Sequence, residues 1–179
     1  MDIAQFQALI GETLDKRVAA CRAEENESQA RKWERERAFL TQTAYATYLM
    51  ESKFDLSLFD TMAIYVAEKV RKIVGMMAGK SRVDNYTPVI IGNAKACEKK
   101  KMEFTSALQE ASLSKAKEVE NAHKLPKRLS CTVGTANSQA SSSRLAMKIM
   151  GMAHEEKAEG GDRHLVMNWE SPILQKIAA

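Results

Sequence analysis

Nucleophile and base chemistry falls first to Cys131 and His123, eight residues apart. A thiol becomes a nucleophile when a neighbouring base or cation draws off its proton. Nearness along the chain does not supply that geometry. His154 and His164 can meet across a turn, but two histidines alone make a weak metal site. Cys21, Cys97 and Cys131 are odd in number and widely spaced, with no CxxC and no Cys/His pair at ligand spacing. Neither a zinc site nor a disulfide framework is indicated, and reduced thiols are the simplest reading. Cys21 lies on an apolar helical face and reads as core. Neither GxGxxG nor a GxxxxGK run followed by Ser or Thr occurs, so no recognised phosphate cradle is present. The reading is a protein without catalytic residues, cofactor or metal.

The remaining chemistry is polar and basic. Asn137, Gln139, Ser141, Ser142 and Ser143 are short or amide side chains suited to phosphates and base edges, and Arg144 and Lys148 follow them. Lys127 and Arg128 precede that stretch, and Lys99, Lys100 and Lys101 form a run. Residues 95–148 hold 11 basic against 5 acidic side chains, a local +6 in a chain whose net charge is +4. Such an excess is compatible with duplex DNA, where each neutralised phosphate releases condensed counterion. It is also an ordinary value for a solvated helix face. Aromatic residues do not interleave with the lysines, so stacking on single strands is not supported.

The elements that must position these residues are mainly helical. Ile3, Phe6, Ile10, Leu14, Val18 and Cys21 recur at spacings of three and four, which predicts a helix over 2–24 capped by Asp2. Glu24 to Ser28 breaks the pattern. Further helices are predicted over 28–52, 58–78 and 88–122, the last opened by Thr87-Pro88 and weakened by Gly92. Trp33, set among alternating charges, is read as an anchor to the core or to a second subunit, and is taken as an oligomer contact. Gly79 suits the residue after a helix end. Arg128 to Val133 reads as a short strand, 137–150 as a helix, and 152–169 as a hairpin through Glu159-Gly160-Gly161-Asp162.

The fold class is therefore mainly α. A helical bundle over 1–124 is followed by a small α+β lobe over 125–179. In that lobe the order is a polar turn, a helix carrying Arg144 and Lys148, a Gly, and a hairpin. This order resembles the recognition helix and wing of a winged-helix DNA-binding module. The resemblance covers about a fifth of the chain. The connection before the helix is longer than a helix-turn-helix turn, and the acidic hairpin tip would repel phosphate. A plain α+β lobe packed on the helices accounts for the same order.

Two functions follow. The first is a non-enzymatic DNA-binding or regulatory protein, a homo-oligomer through its N-terminal helices, with duplex DNA or a protein as partner; it expects Arg144, Lys148, Lys127 and Arg128 to share one surface. The second is a structural or assembly protein, as in a virus-type particle or an adaptor. No run of eighteen apolar residues or secretory leader pattern occurs, so a cytoplasmic protein without a membrane partner is expected.

Overall fold

The computed structural model describes residues 1–157, 161 and 163–178. Helix α1 (Ile3–Ala23) opens with a reciprocal cap. Asp2 Oδ1 accepts from Gln5 N–H at 2.8 Å, and Gln5 Oε1 accepts from Asp2 N–H at 3.0 Å. The helix stops where Glu25 adopts a positive φ of 57°. Asn26 then caps α2 (Glu27–Leu40) by accepting from Gln29 N–H.

The predicted helix over 28–52 is two helices, because the chain turns at Thr41-Gln42 into α3 (Thr43–Glu51). The span 58–78 likewise divides into α4 (Leu56–Thr61), capped by Asp55, and α5 (Ile64–Met77). Neither break carries a Gly or Pro. Tertiary packing overrides propensity there, bringing successive apolar faces onto one interior. Glu36 on α2 is fully buried, where it binds Arg71 Nε at 2.6 Å and Arg35 Nε at 3.3 Å. Gly79 takes a φ of 69° just past α5, in keeping with its expected role.

The span 88–122 also divides. Helix α6 (Thr87–Lys99) has Pro88 in its first turn, and α7 (Ser106–Leu113) follows a turn in which Lys101 has a φ of 53°. Thr87 does not cap α6 with its own side chain. Asp84 does so, accepting from Tyr86 N–H at 2.8 Å and Thr87 N–H at 2.9 Å.

Residues 114–132 run without a helix of more than the single 3-10 turn Ala122–Lys124. The strand expected at 128–133 is reduced to one bridge between Ser114 and Ser130, flanked by short backbone hydrogen bonds. Helix α8 (Val133–Ile149) starts four residues earlier than its predicted beginning at 137, with Thr132 as its cap. Its small residues explain both its length and its place. Ala136, Ala140, Ser143 and Met147 share a buried face, and short side chains allow close approach to α5 and α7.

Gly151, at a φ of 61°, turns the chain into strand β1 (Ala153–Lys157). Strand β1 pairs antiparallel with β2 (Arg163–Met167), placing Glu155 opposite Leu165 and Lys157 opposite Arg163. Glu159, Gly160 and Asp162, expected at the tip, lie outside the described residues. Helix α9 (Pro172–Ala178) closes the chain. The protein is thus mainly helical with one small antiparallel sheet near its C-terminus. Among the described residues the buried apolar side chains form one cluster with members on both sides of residue 124. Among the described residues no helix is long and apolar enough to cross a membrane.

Candidate nucleic-acid interface

Helix α8 sets Ser141, Arg144 and Lys148 along one face at spacings of three and four. The hairpin folds back against this face. Glu155 on β1 meets three cations: Lys148 Nζ at 2.7 Å, Arg144 Nε at 3.3 Å and Arg163 at 3.6 Å. Three positive charges on one carboxylate leave these four side chains at +2. Arg144 is held from its other side by Ser106, whose hydroxyl accepts from the guanidinium. Ser106, Ser141, Arg144, Lys148, Glu155 and Arg163 line a groove of about 370 Å³. A second concavity of about 550 Å³ continues from Lys148, Glu155 and Arg163 towards Lys157.

Glu155 lies on the inward side of the hairpin, the same side as buried Leu165 and Ala153. Burial pushes its carboxyl up, but the Lys148 hydrogen bond and the charges of Lys148, Arg144 and Arg163 outweigh that and hold it below the usual range. Outward on the hairpin, His154 Nε2 lies 2.9 Å from one Glu156 oxygen, and His164 Nε2 lies 4.0 Å from the other. Among the described residues no group of three or more His, Cys, Asp and Glu side chains is arranged to hold a metal ion.

The other residues singled out from sequence are not gathered at this groove. Ser142 and Ser143 are buried, at 2% and 0% exposure. They belong to the packed face of α8, which corrects the reading that placed them on a binding surface. Ser142 Oγ donates to Gln139 O at 3.1 Å, and Ser143 Oγ meets Thr87 Oγ1 at 3.2 Å. Gln139 is half-buried.

Arg128 is a structural clamp. Its Nε donates to Ala111 O at 2.9 Å, and its Nη2 reaches the carbonyls of Ser114, Lys115 and Lys117 at 2.8–3.2 Å. A guanidinium matches that fan of carbonyls, left open where α7 ends. Arg128 works at the C-terminal end of α7 and Arg144 at its N-terminal end, about 12 Å away along an eight-residue helix. The two cations expected on one surface are therefore separated.

Lys127 lines a different groove, of about 620 Å³, between the start of α6 and Pro126. Its backbone is pinned by Asn93, which donates to Lys127 O at 2.6 Å. Lys99 is exposed at the end of α6. Lys100 Nζ donates to Lys124 O at 2.6 Å, and Lys101 borders a cavity of about 270 Å³ beside His164. Trp33 is 3% exposed inside the protomer, with the Arg17 guanidinium 5.9 Å from its ring centre. It anchors α2 to the core and offers no surface to a second copy, which corrects the oligomer-contact reading.

Sequence reasoning missed Ser106 as a partner of Arg144, and Arg163 as a further cation on Glu155. The available signal was Glu155, seven residues beyond Lys148 and across a Gly turn, where a hairpin folding back meets the helix. No protein-family model, curated protein or solved structure matches this chain, so the site is read from its own geometry.

Proposed function

We propose that the protein is a non-enzymatic DNA-binding protein whose contact with the duplex is made by the groove between α8 and the hairpin. The observation that carries this reading is the convergence of Arg144, Lys148 and Arg163 beside the hydroxyls of Ser106 and Ser141. Arginine pairs with phosphate through a planar fork and lysine as a point charge, and serine hydroxyls add phosphate hydrogen bonds without reading sequence.

The reading does not rest on winged-helix docking. Residues 114–132 separate α7 from α8, far more than a helix-turn-helix turn. The hairpin also packs on the basic face of α8. Contact is therefore with the backbone, at the groove rim.

Three phosphate contacts give a salt slope of about −2.7, so affinity should fall about 40-fold between 50 and 200 mM salt. Fluorescence anisotropy on a labelled random duplex measures this directly. Replacing Arg144 and Lys148 together with Gln should reduce the slope by about two contacts' worth. Absence of binding at 50 mM salt by the wild type and by a variant lacking the Glu155 charge would end the proposal.

An obligate assembly built on apolar packing would call for an apolar face open to a neighbour. Besides Met1, the exposed large apolar residues among those described are Met50, Tyr65 and Val133. They stand singly on α3, α5 and α8, which is ordinary for a protein surface.

A further inference from the structure

We infer that Glu155 is an internal anion that occupies the cation cluster in the free protein, and that a backbone phosphate of bound duplex displaces it. The inference rests on the reading of the groove as a phosphate contact, and adds the regulation of that contact. An acidic residue on the inward side of a strand, opposite an apolar Leu165, is a costly placement unless its charge is matched. Here it is matched entirely by cations that border the groove. One oxygen faces Arg144, and the other faces Lys148 and Arg163.

A phosphodiester carries one negative charge over two free oxygens, as a carboxylate does. One phosphate takes the place of the carboxylate, and two neighbouring phosphates of the duplex meet the positive charge that Glu155 leaves unmatched. Arg144 stays aimed at the groove throughout, because Ser106 holds its other nitrogen. Arg163, at 74% side-chain exposure, is free to follow either anion. A duplex gains over Glu155 by releasing counterions from several phosphates at once, while the displaced carboxylate regains water. Binding is then weaker than three cations would give if they were unoccupied.

The test compares the wild type with Glu155→Gln and Glu156→Gln by anisotropy on the same labelled duplex at 50–300 mM salt. Glu156, at 54% side-chain exposure on the outward side, controls for loss of one negative charge anywhere on the hairpin. Glu155→Gln should bind about five- to tenfold more tightly than the wild type, because it frees the cations from direct contact, and Glu156→Gln within about twofold, because its charge faces water on the other side of the hairpin and is screened by salt. Equal gains in the two variants would overturn the inference and leave the DNA reading standing. No binding by the wild type or either variant at 50 mM would overturn both.

A second measurement needs no substitution and guards against misfolding of Glu155→Gln. In the wild type, the carboxyl carbon resonance of Glu155 should shift when saturating duplex is added. A resonance that stays in place while anisotropy reports binding would overturn the displacement.

Discussion

Ser143 and Thr87 meet hydroxyl to hydroxyl at 3.2 Å in the interior, both at 0% exposure, and join α8 to α6. Thr87 Oγ1 donates to Asp84 Oδ2 at 2.9 Å. A hydroxyl has one proton, so Ser143 must be the donor to Thr87. The chain of protons therefore runs one way, from Ser143 through Thr87 to the carboxylate. Asp84 in turn lies 3.3 Å from the buried ammonium of Lys69 on α5. Three helices are tied through one acidic side chain.

Thr87→Val keeps the shape of the side chain while removing both links. It leaves Asp84 short of one hydrogen bond and Ser143 without its acceptor, and should cost about 2–3 kcal/mol. Ser143→Ala removes only a neutral donor and should cost about 1 kcal/mol. Urea unfolding of the two variants gives the comparison. A larger loss for Ser143→Ala would contradict the direction assigned to the chain.

Acid should weaken the same centre. Burial pushes the Asp84 carboxyl up, but the Lys69 charge and the hydrogen bonds from Thr87 and Tyr86 hold it below its ordinary value. The unfolded carboxyl takes up its proton near pH ~3.9, while the folded one resists until lower pH. Asp84 thus contributes stability that is present above that unfolded value and is lost as pH falls through the folded one. Melting temperatures followed from pH 6 to pH 2 should show a drop that Asp84→Asn lacks in part. Parallel profiles for the two proteins would rule this contribution out.

Arg128→Lys should destabilise the protein by about 2–3 kcal/mol, since one ammonium cannot span the carbonyls that the guanidinium reaches. The loss should be local first. Amide exchange should quicken over residues 114–132, while the salt dependence of duplex binding stays that of the wild type. A change in the salt slope would return Arg128 to the binding surface.

Two glycines should respond in opposite senses to alanine. At Gly151 a Cβ would stand 2.5 Å from the Lys53 Cβ and 2.7 Å from its carbonyl oxygen, at a φ of 61°. Gly151→Ala should cost more than about 1 kcal/mol. At Gly92, inside α6, a Cβ would meet nothing within 4 Å. Gly92→Ala should stabilise by up to about 1 kcal/mol. Thermal melts of the pair give the sign of each.

Much of the helical content was legible because it depends on local rules. The apolar spacing of Phe6, Ile10, Leu14 and Val18 predicted a helix that ends within a residue or so of Ile3–Ala23. Asp2 and Gly79 stood where caps and helix ends require them. The breaks at Thr41-Gln42 and at Met62-Ala63 carry no local signal, since only the packing of one helix on the next demands them. The stretch 128–133 has β-favouring residues but finds a single bridging partner, and its last residue is taken by α8. At the candidate site, Arg144, Lys148 and Ser141 were visible as helix-face residues. The burial of Ser142 and Ser143 was not, because a stretch of small polar residues looks the same whether solvated or pressed against another helix. The clamp role of Arg128 was equally hidden, since its acceptors are backbone carbonyls that any sequence would provide.

The position of α8 also bears on how the chain is made. Val66, Val70, Ile73 and Val74 of α5 are buried at 1% exposure or less, and α8 is one of the helices that cover α5. Residues 133–149 leave the ribosome long after α5 does. Until then part of the apolar face of α5 has no cover, and contacts so distant in sequence close slowly. A nascent chain paused before Val133 would present that face to its surroundings, which is where a chaperone would find it.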